Sequence, residues 1–272
     1  MNYDLVAIDI DGTLVTRSHT IAEPVFEAIQ RIKQTGKKIV LCTGRPFPGA
    51  KPYMEELGLT NEGDYMITYH GALVQRTDTL ENVIHHELDY KDLLEWHALA
   101  NDLNSNFHSV RNDGVYTDLR DLDQFALVEP YVNMIPLRIR DVDELDQTMS
   151  YSKFIMADEF DVIQNVEDNI PAEMRQKYTV VRSMPNTIEV LNKDASKGQS
   201  LRELADHLEI PRERVMAIGD SGNDIDMVEY AGLGVAMGNA IPEVKNVADV
   251  VTDTVDEFGV ATAINRYFFG EM

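Results

Sequence analysis

One continuous apolar run, Leu5-Val6-Ala7-Ile8, followed at once by Asp9, Asp11 and Gly12, limits what this chain can become more than any other stretch. Four apolar residues without helical spacing predict a strand buried on both faces, the habit of parallel sheets. Gly12 permits a sharp change of direction. Alternate side chains of an extended chain share a face, so Asp9 and Asp11 are expected to point the same way. Open α/β sheets bind ligands at the carboxyl ends of such strands. Two like charges held this close need a cation or a shifted pKa. A hard divalent ion, Mg2+, is the simplest answer. An isolated Asp-x-Asp-Gly is equally well explained by an ordinary turn, so the decision falls to the rest of the chain.

At 272 residues the chain has room for one large α/β domain or two smaller ones. Its 47 acidic residues against 24 Lys and Arg give a formal net charge of -23. Such a chain repels nucleic acid and anionic membranes, and no basic patch interrupts the pattern. An anionic substrate then needs local positive charge at its site. Cys42, the single cysteine, sits inside an apolar strand, which leaves no disulfide framework. No run approaches membrane length and no secretory pattern opens the sequence. The expectation is a soluble, cytoplasmic protein with neither nucleic acid nor membrane as partner.

Glu23 to Thr35 carries apolar residues at Val25, Phe26, Ile29 and Ile32, with Pro24 near its start and Gly36 after its end. That is a helix with its stop signal. Lys38 to Cys42 predicts a second buried strand that runs into Thr43-Gly44-Arg45-Pro46. A helix through Tyr53 to Leu57 and a strand at Tyr65 to Thr68 complete a β-α-β-α-β pattern, which argues a doubly wound parallel sheet. From about Val83 to Pro185 the pattern changes to paired extended segments and longer helices. Asn112-Asp113-Gly114 reads as a hairpin turn, Tyr90 to Leu103 as a helix, and Lys153 to Ala157 and Thr179 to Arg182 as strands. This predicts an α+β module inserted into the sheet domain. Parallel punctuation returns near Thr187: a strand at Ile188 to Leu191, a helix at Gly198 to Leu208, and a strand at Val215 to Gly219 leading into Asp220-Ser221-Gly222-Asn223-Asp224. Strands at Gly234 to Met237 and Asp249 to Val251 and a helix at Gly259 to Phe268 close the chain. The fold class is α/β, a Rossmann-like doubly wound sheet with an inserted α+β domain.

Three buried strands thus end in polar turns: Asp9/Asp11, Thr43/Gly44 and Asp220/Asn223/Asp224. Lys197 adds a cation at a helix start. In a parallel sheet the strand ends lie along one edge, so these groups can converge. Thr43 alone could cap a helix, Lys197 alone could face solvent, and the turn at Asp220 could be a cap. One chemical group at each strand end is harder to explain that way. Together these types suit phosphoryl transfer, in which a carboxylate can act as nucleophile while oxygen-bound Mg2+, a hydroxyl, backbone N–H groups and a lysine carry the charge.

At these residues the chain resembles the haloacid dehalogenase-like (HAD) hydrolases, and within them the Cof-type sugar phosphatases. The motifs stand in family order as Asp9-Ile10-Asp11-Gly12-Thr13-Leu14, Thr43-Gly44-Arg45-Pro46, Lys197-Gly198 and Gly219-Asp220-Ser221-Gly222-Asn223-Asp224. Ile67 to Ala72 and Gly234 to Ala240 also match the subfamily, except that His70 stands where it usually has Asn. The resemblance implies Asp9 as nucleophile and Mg2+ ligand, and Asp11 as general acid/base with its backbone carbonyl on the metal. It implies Thr43, the N–H groups of Ile10 and Gly44, and Asn223 as phosphoryl-binding groups. Lys197 would offset growing negative charge, Asp220 would complete the metal ligands, and Asp224 would orient Lys197 or metal-bound water.

It further implies a catalytic core over 1–83 and 188–272, and a C2-type cap over 84–187 that selects the substrate. His108, Arg111, Arg138, Arg140 and Lys153 are the cap residues with chemistry to offer a leaving group. The function implied is a phosphoric monoester hydrolase acting on small phosphorylated metabolites, sugar phosphates first, through an aspartyl phosphate. A phosphomutase or phosphotransferase on the same scaffold is the alternative. A receiver-type regulatory module pairs similar residues, but its acceptor Asp ends the third strand rather than the first.

Overall fold

The computed structural model describes residues 3–271. The chain divides into two compact units, one formed by Met1–Gly44, Ala50–Ile84 and Ser196–Met272, the other by Arg45–Gly49 and His85–Ala195. The strands in chain order are β1 (Leu5–Asp9), β2 (Lys38–Cys42), β3 (Tyr65–Thr68), β4 (Leu73–Arg76), β5 (Asn82–His85), β6 (Phe107–Arg111) and β7 (Gly114–Thr117). They continue as β8 (Leu137–Ile139), β9 (Lys153–Ala157), β10 (Tyr178–Met184), β11 (Thr187–Asn192), β12 (Val215–Gly219), β13 (Leu233–Ala236) and β14 (Val250–Val251).

The first unit carries an eight-stranded sheet in the order β14-β13-β12-β1-β2-β3-β4-β5. β1 lies between β2 and β12 and is parallel to both, with Ala7 opposite Val40 on one side and Ala217 on the other. Strands that follow β1 directly build outward on one side, while β12 to β14 build outward on the other. That makes the carboxyl end of β1 the switch point of the sheet, where open α/β sheets place their ligands. Every residue of β1 is buried, as a strand covered on both faces requires. Leu5, Ala7, Val40, Val215 and Ala217 form one face of the core with Leu201, Leu204 and Ala205. Each such side chain removed from water contributes about 1.5–3 kcal/mol when large. β4, antiparallel to β3, and β5 beyond it extend the sheet past the parallel strands read from the sequence.

Helix Glu23–Gln34 buries Val25, Ala28, Ile29 and Ile32, the spacing of a single apolar stripe, and Gly36 at φ 73 follows its cap. The helix expected from Tyr53 begins earlier, at Phe47, and ends at Glu56. Pro48 sits in its first turn, where a missing N–H costs nothing, and Pro52 forfeits one bond on the exposed side. Pro46 precedes the helix, so none of the three prolines in this stretch breaks it. The C-terminal helix stops at Ala263 and continues as one π-turn to Phe268.

In the second unit a six-stranded sheet runs β10-β11-β9-β6-β7-β8. Its pairs are antiparallel except β7 with β8. Arg111 pairs with Gly114, so Asn112 and Asp113 form the two-residue hairpin turn. Helix Tyr90–Asp102, held at its start by a capping box between Asp89 and Asp92, brings Trp96 into a core with Phe107, Phe154, Met156, Ile188 and Val190. One expectation is corrected here. The strand at Ile188 to Leu191, assigned by sequence to the parallel sheet domain, is β11 and lies between β10 and β9 of this second sheet. Its alternation gives the reason: Ile188 and Val190 face the aromatic core, and Glu189 turns to the opposite face to meet Lys153. The chain rejoins the first unit at Ser196.

Candidate active site

Asp9, the last residue of β1, is buried. Lys197, the first residue of helix Lys197–His207, reaches it with Nζ at 2.5 Å from Asp9 Oδ1 and 2.6 Å from Asp224 Oδ1. The Lys197 and Asp224 side chains are cut off from solvent, and that of Asp9 is 6% exposed. Asp224 stands in the turn after β12, and its Oδ2 accepts the backbone N–H groups of Asp220 and Ser221, each at 3.0 Å. Asp220 accepts a hydrogen bond from the Thr13 hydroxyl at 3.0 Å. Gly12, at φ 85, comes so near Asp220 that a Cβ would lie 2.5 Å from its Oδ2, so the turn after β1 admits no side chain there. Ligand oxygens of Asp9, Asp220 and Asp224 all lie within 4.8 Å of one another.

Three carboxylates thus share one ammonium. Burial, then the charge of Asp224, pushes Asp9 well above the usual carboxylate range, and Lys197 offsets only part of this. Burial and Asp224 likewise push Asp220 up to about 6. Burial alone would lower the Lys197 ammonium; Asp224 and Asp9 outweigh it and hold the proton in place. The oxygens are not equally committed. Asp224 has both occupied, Oδ1 by Lys197 and Oδ2 by backbone N–H groups. Asp9 Oδ2 is buried with no hydrogen-bond partner. A buried, unpartnered carboxylate oxygen inside an over-acidic cluster is what a hard divalent cation or an electrophile would satisfy. The residues fit a metal such as Mg2+, with Asp9 and Asp220 as the carboxylates able to hold it and Asp224 as the group that holds Lys197.

The other expected residues fall as follows. Thr43, directly after β2, is buried, and its N–H bonds the Ile67 carbonyl at 2.9 Å. Gly44 lies against the ring of His70. Asn223 donates through Nδ2 to His70 Nδ1 at 2.9 Å and accepts the Ser221 hydroxyl at 2.7 Å. Ile10 is buried, and its carbonyl accepts the Val15 N–H at 3.0 Å. Asp11 departs from expectation. β1 ends at Asp9, so strict alternation does not carry past it, and the Asp11 side chain is 45% exposed, outside the cluster of ligand oxygens. A metal contact from Asp11 would come from its backbone oxygen.

Sequence reasoning gave no role to Asn239, whose Nδ2 donates to the Gly12 carbonyl at 2.8 Å and reaches Asp220 Oδ2 at 3.4 Å. It follows β13, so the strand-end argument, applied one strand further, would have found it. Of the residues in the insert, Lys153 is fully buried and pairs with Glu189 at 2.7 Å and Glu129 at 3.0 Å. His108 is also buried, while Arg111 pairs with Asp113 and Arg138 bonds its carbonyl. Arg140 bonds the carbonyl of Ile139. No described helix is long and apolar enough to cross a membrane.

Comparison with known proteins agrees with this geometry. The family model for haloacid dehalogenase-like hydrolases matches residues 6–264. YxeH of Bacillus subtilis (strain 168) is 45% identical over 264 residues, covering 97% of this chain and 98% of that protein. The 5-amino-6-(5-phospho-D-ribitylamino)uracil phosphatase YitU of the same organism is 30% identical over 271 residues, covering 97% of each. A crystal structure of a haloacid dehalogenase-like hydrolase from Bacteroides thetaiotaomicron superposes with a TM-score of 0.89 at 31% identity, covering 98% of this chain and 100% of the other. With the match running through both units and through every strand that carries the acidic cluster, this chain belongs to the haloacid dehalogenase-like hydrolases and is one of their phosphatases.

Proposed function

We propose that the protein hydrolyses phosphomonoesters of small metabolites, sugar and sugar-alcohol phosphates first, with Mg2+ and through a phosphorylated Asp9. The observation that carries this is Asp9 Oδ2, a buried carboxylate oxygen without a partner, whose twin Oδ1 is anchored by Lys197. In this reading Asp9 Oδ2 forms a bond to phosphorus as the ester P–O bond breaks. Asp11 gives a proton to the departing alcohol oxygen. It then takes one from the water that attacks the acyl phosphate, and inorganic phosphate leaves with Asp9 restored. When bound, Mg2+ would neutralise charge on the phosphoryl group and on the carboxylates around it. The Thr43 hydroxyl, the N–H groups of Ile10 and Gly44, and the Asn223 amide hold the phosphoryl oxygens. Lys197 anchors Asp9 Oδ1 and offsets part of the burial that disfavours its charge.

The insert takes the choice of leaving group. Every residue given a chemical role lies in 1–83 or 188–272. A relative that acts on a phosphorylated ribityl chain supports polyol phosphates as the substrate class. Lys153 drops out as a contact for the substrate because Glu189 and Glu129 already take its charge.

Asp9→Asn tests the reading directly. An amide cannot form the acyl phosphate, so turnover of any phosphomonoester should fall by about 10⁴-fold or more while the circular dichroism spectrum is kept. Acid quenching of wild type during turnover of a 32P-labelled ester should leave label on the protein, absent from the variant. A variant that releases phosphate at more than a few per cent of the wild-type rate refutes Asp9 as nucleophile.

A further inference from the structure

We propose that His70 is a positioning residue for phosphoryl binding, acting through Asn223 and Gly44. The proposal rests on the reading of Gly44 and Asn223 as phosphoryl-binding groups and extends it to a residue outside the motifs. Tyr69 and His70 are both held at positive φ, 52° and 55°, in the turn that follows β3. Non-glycine residues in that region cost of order 1–3 kcal/mol each and persist only where the surroundings enforce them.

The surroundings are the site itself. The His70 N–H bonds the Thr43 carbonyl at 3.0 Å, which ties the turn to the end of β2. Its ring lies on Gly44: a Cβ built there would meet Cε1 at 2.2 Å and Nε2 at 2.4 Å. One residue on, the Gly71 carbonyl accepts the Ser200 hydroxyl from the helix that begins with Lys197. The turn after β3 therefore locks together the turn after β2 and the helix that carries the lysine.

The remaining contact reaches the turn after β12. An amide nitrogen can only donate, so the 2.9 Å contact with Asn223 Nδ2 makes His70 Nδ1 the acceptor and puts the ring proton on Nε2. Asn223 Oδ1 is taken by the Ser221 hydroxyl. With Oδ1 on the Ser221 hydroxyl and Nδ2 on His70, the amide is held at both ends and its second N–H is left to a phosphoryl oxygen. Without His70 the amide could rotate, and a donor that must be ordered at each binding event binds less tightly.

The experiment measures binding of inorganic phosphate by calorimetry in Mg2+, beside kcat and KM for an aryl phosphate. His70→Phe keeps a ring over Gly44 but removes the acceptor. It should weaken phosphate binding about tenfold and raise KM correspondingly. His70→Asn retains an acceptor and suits the left-handed backbone, and should stay within about threefold of wild type. In an Asn223→Ala background the His70→Phe loss should shrink to about twofold or less, which a purely structural role would not produce. Should the phenylalanine chain fail to fold, His70→Ala is the second variant that removes the acceptor. Wild-type phosphate affinity in the acceptor-less variant overturns the proposal, as does an equal loss in His70→Asn. If wild type binds phosphate but turns over no ester, the hydrolase reading fails while the loss of affinity still supports this one. If wild type binds no phosphate, this proposal falls.

Discussion

Each unit of the molecule buries a lysine between two carboxylates, and the two arrangements serve opposite ends. In the second unit Lys153 lies on a strand, with Glu189 on the neighbouring strand and Glu129 completing the pair. One positive charge there meets two negative ones. Burial alone would lower the Lys153 ammonium, but Glu129 and Glu189 outweigh it and hold it charged. In the first unit Lys197 meets Asp9 and Asp224 at the ends of parallel strands, and Asp220 stands close by as a third carboxylate. One ammonium against three crowded carboxylates is an unbalanced set that, added to burial, raises Asp9 and Asp220, and a divalent cation would balance it. The residue types are nearly the same. What separates them is place: Lys153, at the start of β9, is held by Glu189 and Glu129 within the second unit, whereas the strand ends at a sheet's switch point gather a third carboxylate, Asp220, beside Asp9 and Asp224. A buried ion pair alone is weak testimony of function.

That contrast can be broken by exchanging which lysine is lost. Lys197→Ala should depress kcat/KM for every phosphomonoester by about 10²–10³-fold, since it removes a group that acts on the phosphoryl transfer itself. Lys153→Met should leave kcat for a small aryl phosphate within about threefold per folded molecule, yet cost about 3 kcal/mol in urea unfolding by stranding the buried Glu189 and the half-buried Glu129. If Lys153→Met loses as much activity as Lys197→Ala at equal folded fraction, the two lysines are not different in kind.

A smaller effect should place acid sensitivity in the second unit. Burial lowers His108 from 6.5 to about 4, against the weaker pull of Asp123 and Asp118. The folded state therefore binds fewer protons than the unfolded one. The stability this neutral ring contributes is complete above pH 6.5 and is lost as pH falls through 6.5 towards 4, by about 3 kcal/mol in all. His108→Leu should flatten that part of the stability-pH curve when urea midpoints are compared between pH 7 and pH 4. Unchanged curvature would show that His108 protonates freely in the folded state.

The smallest expected effect sharpens the charge argument. Mg2+ at a hundred times its Kd should stabilise the folded protein by about 2.7 kcal/mol, read as a rise in Tm. Lys153→Met should keep that rise, and Asp220→Asn should lose most of it. A Tm indifferent to Mg2+ in wild type would mean that the cluster carries its excess charge without a cation.

The four motifs were legible because they are local. Asp9, Thr43, Lys197 and Asp220 each follow or open an element whose apolar run is unmistakable, and a parallel sheet brings its strand ends to one edge whatever the loops between them do. The strands at Lys38–Cys42, Lys153–Ala157 and Val215–Gly219 were read to the residue for the same reason. Sequence was silent where pairing partners decide. β11 has a run of apolar residues that suits either sheet, and only antiparallel neighbours on both sides place it in the second unit. Asp11 left the shared face because the strand stopped two residues early, and no pattern in the sequence marks where a ladder ends. The grip of His70 on Asn223 spans 153 positions. The unpartnered oxygen of Asp9 exists only because Lys197 took the other one. Residue type and local periodicity are written along the chain. Which oxygen stays open depends on distances between residues far apart in the chain, and those are fixed only when the sheet closes.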